Sequence, residues 1–197
     1  MNLALFDFDG TITHCDTFTP FIKKVVPSSR IYWGGLLLLP SIIGYRIGIL
    51  SGSTLRQQII YVGLKGFSNT QLKALGKTYA REFLTTVIRA NALERIKWHL
   101  EAGDRVIVVS ASLEVYLKPW CDALGVELIC SQLQVNRGSL TGKYNNADCS
   151  GKEKARRVRA LVNIDAYQKI YAYGDTKEDE ALLNIADEQY FQWQRRV

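Results

Sequence analysis

A doubly wound, Rossmann-like α/β fold with a parallel sheet, an inserted helical cap and a small β-hairpin is predicted for this sequence by three observations. Short apolar runs that suit buried strands recur along the chain and alternate with helical periods. Acidic or hydroxyl residues close those runs, as at Asp7, Ser110 and Asp175. The alternation is interrupted once, directly after the first run, by a long and basic helical stretch.

Taken in order, Leu3 to Phe8 suits a buried parallel strand that ends in a loop at Gly10. The next α/β unit opens at Asn91, a helix cap with Glu94 placed to complete a capping box. Leu93, Ile96 and Leu100 share one helical face, and Gly103 stops the helix. Val106–Val109 is the second strand, with Ser110 at its end. Leu113, Leu117, Cys121 and Leu124 keep a helical period up to Gly125, with Pro119 expected to bend it. Val126 to Ile129 is a third strand, and two alternating runs around Asn136, Arg137 and Gly138 form a hairpin. A basic helix opens at Lys152 and runs to about Val162. Ile170–Tyr173 is a strand ending at Gly174 and Asp175, Glu180–Ile185 is helical, and Tyr190–Trp193 is the last strand. Residues 1–13 and 88–197 are therefore assigned to the α/β core, and 14–87 to the inserted helical cap.

With 197 residues, 47% of them hydrophobic and 22% charged, the chain can bury a core of this kind and is not disordered. No internal repeat supports a solenoid. The net charge of +6 is uneven. Between Ile12 and Ala90, 10 Lys or Arg face only Asp16 and Glu82, which makes that stretch +8 and the remainder −2. Such a region favours an anionic ligand or surface: phosphate, phospholipid or nucleic acid. Nucleic acid is set aside, because no helix-turn-helix, finger spacing or aromatic-rich binding strand accompanies the charge. The four cysteines form no CxxC pair, so zinc is a poor fit. The opening MNLALFDFDG reads as a strand and not as a secretory signal, which places the expected chemistry in the cytoplasm or on the cytoplasmic face of a membrane. Oligomeric state leaves no sequence signal.

In parallel α/β sheets the site lies beyond the carboxyl ends of the strands. Asp7 with Asp9, Ser110, Lys152, and Asp175 with Asp179 all fall there. Gathering that many carboxylates requires a hard cation, and oxygen-only ligands indicate magnesium. Ser110, Lys152 and the amides around Asp9–Thr11 could hold phosphoryl oxygens. One carboxylate could attack phosphorus while a second protonates the leaving alkoxide.

These motifs resemble the haloacid dehalogenase-like phosphatases. FDFDGTITHCD is similar to their opening, VIVVSAS to their second motif, GKEKARRV to the lysine motif and YAYGDTKEDEALL to the closing acidic motif. The insert after the first motif and the hairpin look like the phosphoserine-phosphatase-like branch. The resemblance implies Asp7 as nucleophile and Asp9 as general acid/base, with Thr11 steadying the phosphate loop. Ser110 and Lys152 would bind the phosphoryl group. Magnesium would be held by Asp7, Asp175 and the Asp9 carbonyl, and Asp179 would orient a metal-bound water or Lys152. Asp16 stands where that branch has a substrate-facing glutamate, and Glu178 where it has asparagine, two departures from the amino-acid-specific pattern. Arg56 is a cap-side candidate for an anion.

Ile31 to Leu50 is intensely apolar and carries only Arg46. Three readings compete: a buried pair of cap helices, a hairpin resting on an anionic membrane, and a span, for which fifteen uncharged residues are short. A greasy, basic insert in this position resembles the bacterial phosphatidylglycerophosphate phosphatases. The expected substrate is thus a phosphomonoester, on a phospholipid or, alternatively, on a soluble molecule such as phosphoserine. A noncatalytic membrane-surface protein and a phosphotransferase using the same Asp7 are the rivals.

Overall fold

The computed structural model describes residues 1–196 and has the expected α/β architecture. Its main sheet contains β1 (Leu3–Phe6), β2 (Arg105–Leu113), β3 (Glu127–Ser131), β6 (Ile170–Gly174), β7 (Glu188–Phe191) and β8 (Gln194–Arg195), in the order β3-β2-β1-β6-β7-β8. All neighbours pair in parallel except β7 and β8. β1 is central, with Leu3 opposite both Arg105 and Ile170.

Successive side chains of a strand face opposite ways, and here both faces are covered. Ala4, Phe6, Val106 and Val108 pack with Ala92 and Ile96 of α6 (Ala90–Glu101) and Leu117 and Cys121 of α7 (Glu114–Leu124). Leu3, Leu5, Ile107 and Val109 instead meet Val158 of α8 (Lys152–Leu161) and Leu182 and Leu183 of α9 (Glu180–Leu183). Burial on two faces explains why these strands read as unbroken apolar runs.

Three local expectations change. No side chain caps α6, so Asn91 and Glu94 form no capping box. Its entry is held by Arg89, whose amide donates to the Ile12 carbonyl (2.9 Å) and whose Nε donates to that of Thr13 (3.0 Å). Ser110 lies inside β2, which runs on to Leu113 through a register shift. The last expected strand is a two-strand ribbon, turned by Gln192 and Trp193 at φ 51° and 64°.

The stretch after β1 forms α1 (Phe18–Val25), α2 (Ser28–Arg46), α3 (Gly52–Leu64) and α4 (Asn69–Tyr79). The chain then passes through a wider turn at Ala80–Leu84 into the short α5 (Thr85–Val87). At its base, Thr13 pairs with Ile88 and the His14 amide donates to the Val87 carbonyl (3.0 Å). The hairpin of β4 (Leu133–Asn136) and β5 (Ser139–Tyr144) lies against α3, where Gln57 donates to the Gly142 carbonyl (3.0 Å). A Cβ on Gly142 would stand 3.0 Å from Tyr61 Cα, so only glycine allows that approach.

The apolar stretch Ile31–Leu50 is not a buried helix pair. Residues up to Arg46 belong to the single helix α2, which carries Pro40 within it, and Gly34 is its one buried residue. α3 packs along one side only, while Tyr32, Trp33 and Leu37 are each more than 60% exposed. The span reading also falls, because no helix among the described residues is long and apolar enough to cross a membrane.

Candidate active site

The carboxyl ends of β1, β2 and β6 meet where the strand order reverses, the place at which such sheets form sites. Asp7 follows β1 and is pinned by its own amide, which donates to the Tyr173 carbonyl (2.9 Å). Asp175 follows β6, and Asp179 lies one turn later in a capping box opened by Thr176. Carboxylate oxygens of Asp7, Asp175 and Asp179 all lie within 4.8 Å of one another, a set that could hold a divalent cation. The loop leaves room for this. A Cβ on Gly10 would stand 2.1 Å from Asp175 Oδ2, and the residue's φ of +86° itself favours glycine.

The lysine of the site is Lys154, not Lys152. Its Nζ donates to Asp7 Oδ1 and to Asp179 Oδ1 (2.6 Å), and it is almost wholly buried. Lys152 is exposed. Two residues on a helix are about 200° apart at 3.6 residues per turn, so the lysines point to opposite sides. The apolar stripe of Ala155 and Val158 marks the inward face, and Lys154 shares it at i−1 and i−4. That stripe is the signal in the sequence that separates the two lysines.

Asp9 is turned away from the other three carboxylates. Its Oδ1 accepts from the amide and the hydroxyl of Thr17 (both 2.6 Å), and its Oδ2 from the hydroxyl of Ser112. Sequence reasoning does not find Thr17 and Ser112, because their i+8 and cross-strand placement leaves no mark in a linear reading. Thr11 is buried and donates to Asp175 Oδ1 (3.1 Å), so its hydroxyl supports the acidic cluster and does not line the cavity. Asp179 Oδ2 accepts from the amides of Asp175 (3.1 Å) and Thr176 (3.0 Å), leaving Oδ1 to orient Lys154.

A cavity of about 390 Å³ opens over this group. Ser110, Ser112 and Lys154 line its floor with Asp7 and Asp9, and Asp16, Tyr45, Arg56 and Glu178 line its mouth. Asp16 is exposed, with its carboxylate accepting from the amides of Phe18 (2.9 Å) and Thr19 (3.1 Å) as a cap for α1. Arg56 is already paired, at 2.8 Å to Asp148 and 3.1 Å to Glu178.

The electrostatics separate the acids. Burial pushes the Asp7 carboxyl well up, and the charges of Asp179 and Asp9 add to this against the pull of Lys154. Burial also raises Asp9, against the donors from Ser112 and Thr17. Asp175 is raised by burial and by Asp179. Burial acts on Asp179 in the same sense, but Lys154 and the backbone donors outweigh it and hold this carboxyl below its ordinary value. Lys154 is kept charged by Asp7 and Asp179 despite burial. Asp7, Asp9 and Asp175 are thus raised alike, while Asp179 is held down.

Comparison with known proteins agrees with this geometry. The sequence pattern of the haloacid dehalogenase-like hydrolase family matches residues 4–184. Protein CicA of Caulobacter vibrioides is 32% identical over 193 residues, covering 94% of this chain and 83% of CicA. A protein of unknown function from Bordetella pertussis Tohama I superposes with a TM-score of 0.81 at 21% identity, covering 96% of this chain and 89% of its own. Substrate-bound phosphoserine phosphatase superposes at 0.67 and 19% identity, covering 96% and 85%.

Proposed function

This chain belongs to the haloacid dehalogenase-like hydrolase family, and on that premise we propose that it is a magnesium-dependent phosphomonoester hydrolase of the phosphoserine-phosphatase-like branch, acting through an aspartyl-phosphate on Asp7. The observation that carries the reading is the buried Asp7 carboxylate, which lines a cavity, is held by Lys154 and converges with Asp175 and Asp179.

In this reading an oxygen of Asp7 attacks phosphorus and the bond to the leaving alkoxide breaks. Asp9 gives that alkoxide its proton. It then takes a proton from the water that attacks the aspartyl-phosphate, which frees phosphate and restores Asp7. Lys154 and Ser110 bind the phosphoryl oxygens, Thr17 and Ser112 aim Asp9, and Asp179 holds Lys154 in place. Magnesium, held by Asp7 and Asp175 with Asp179 beside them, would neutralise charge on the acids and the phosphoryl group. Residues 14–87 act as a cap that keeps bulk water from the phosphoenzyme.

For the alcohol, a soluble small-molecule ester is the first reading, and the size and polar lining of the cavity support it. An amino-acid ester such as phosphoserine would need a free cation for its carboxylate, and Arg56 is paired on both sides. A phospholipid phosphate, including phosphatidylglycerophosphate, at an anionic membrane surface is the second reading. It is favoured by the exposed apolar face of α2, a helix that ends at the exposed Arg46, and by the basic charge of the cap.

The test is phosphate release from a panel of phosphoserine, glycerol phosphate and phosphatidylglycerophosphate, with magnesium and with chelator. Release that persists in Asp7→Asn would sink the mechanism. Absence of turnover with retention on anionic vesicles would favour a noncatalytic surface protein, and phosphate passed to added alcohols would identify a transferase. Sedimentation with anionic vesicles decides the membrane reading: protein left in the supernatant removes it.

A further inference from the structure

A second cavity of about 200 Å³ lies between α1, α2 and α3, and its lining is almost wholly apolar. Ile22 of α1 and Val26, the residue after that helix, line it together with Leu38 and Ile42 of α2 and Ile59 of α3. Lys23 and Arg30 are the only charged residues in its lining. Two glycines in α2 shape the space differently. A Cβ on Gly34 would stand 2.7 Å from Val62 Cγ1, so Gly34 lets the two helices close. Gly35 also lines the groove but is exposed, and a Cβ built on it would meet open space, with no atom within 4 Å.

The groove adjoins the reactive cavity. Phe18 lines both, and α2 puts Ile42 in the groove and Tyr45, one turn later, at the mouth of the reactive cavity. From Phe18 to Val25 the α1 wall extends about 10 Å at 1.5 Å per residue.

We infer that the groove between α1, α2 and α3 is a subsite for the aliphatic chain of the substrate, so that the phosphomonoester hydrolysed at Asp7 carries one unbranched apolar tail. Three features select this occupant. The walls offer almost no polar partner, which disfavours a sugar, nucleoside or amino acid. The volume is below the roughly 300–1,000 Å³ usual for a whole ligand, but it suits a single chain. The groove also begins beside the cavity that would hold the phosphate. The inference rests on the phosphomonoesterase reading, and it places the tail within the protein, not in a bilayer.

The test measures kcat/KM for ethyl, butyl and octyl phosphate below their micellar concentrations, together with calorimetric binding of the matching alkylphosphonates. Each buried methylene should improve both by about fourfold. Gly35→Leu fills the groove with a better helix former than glycine. It should cut the octyl value to near the ethyl value while leaving ethyl phosphate unchanged. Ile42→Ser, which puts a hydroxyl in the wall, should flatten the same series and guards against misfolding of the first variant. A series that is flat in the wild-type protein, or unaltered by both variants, would overturn the subsite. If no ester is hydrolysed but phosphonate binding still grows with chain length and is lost in Gly35→Leu, the subsite stands and the hydrolase reading falls. Turnover without any dependence on chain length removes the subsite and leaves the hydrolase reading standing.

Discussion

Lys154 Nζ donates both to Asp179 Oδ1, at 2.6 Å, and to Asp7 Oδ1, so one buried ammonium ties the carboxylate at the end of β1 to the turn after β6. Neither carboxylate could be buried there alone at tolerable cost, since an unpaired charge in such surroundings costs several kcal/mol. The pairing makes the position of Lys154 a sharper marker of the site than any single acid.

Replacing Lys154 by methionine should therefore lower kcat/KM by about 10²–10³, the usual loss for one preorganised charge-stabilising donor. Lys152→Ala, on the exposed side of α8, should leave the rate within about twofold of wild type. Steady-state kinetics with one soluble phosphomonoester checks both. Equal losses from the two lysines would remove the assignment of Lys154.

Gly10→Ala places a methyl group on Asp175 Oδ2 and forces alanine to a φ of +86°. The backbone alone should cost about 1–2 kcal/mol. In wild type, magnesium at one hundred times its dissociation constant should add about 2.7 kcal/mol of stability. Thermal unfolding with and without magnesium should show that gain reduced in Gly10→Ala and in Asp175→Asn. An unchanged magnesium shift in both would mean the ion is held elsewhere.

Ser112 donates to Asp9 and works against the upward push of burial on that carboxyl. Removing the hydroxyl in Ser112→Ala should raise the Asp9 pKa further. In the proposed mechanism, breakdown of the phosphoenzyme needs Asp9 as a carboxylate, so the acidic limb of the pH–rate profile should move to higher pH. A limb that stays in place, with only a uniform fall in rate, would make Ser112 a packing residue.

His99 is buried between Asp104 (2.9 Å) and the Tyr173 hydroxyl (2.9 Å), and burial lowers its pKa below 6.5 despite Asp104. The unfolded chain therefore binds a proton at a pH where the folded protein does not, and folding stability must fall as pH drops through about 6.5. Tm should decline from pH 7 to pH 5, and His99→Gln, which cannot charge, should abolish that decline. An identical slope in the variant would place the titration on another group.

Much of this protein was legible in its linear order. The apolar runs at Leu3–Phe6 and Val106–Val109 could be recognised because strands covered on both faces leave no polar alternation. Asp7, Asp9 and Asp175 could be named because parallel strands end together at one edge of the sheet. The hairpin was visible at Asn136–Gly138, whose turn residues are local.

What the tertiary structure alone decided depends on contacts between distant segments. Choosing Lys154 over Lys152 depended on which face of α8 meets the sheet, and placing Thr17 and Ser112 on Asp9 depended on the path of the loop after β1. The apolar stretch in α2 looked the same in sequence whether buried or bare, because hydropathy records what a residue prefers and not what neighbour it finds. Only the packing of α3 along one side of α2 left the other exposed and opened the groove beside Phe18.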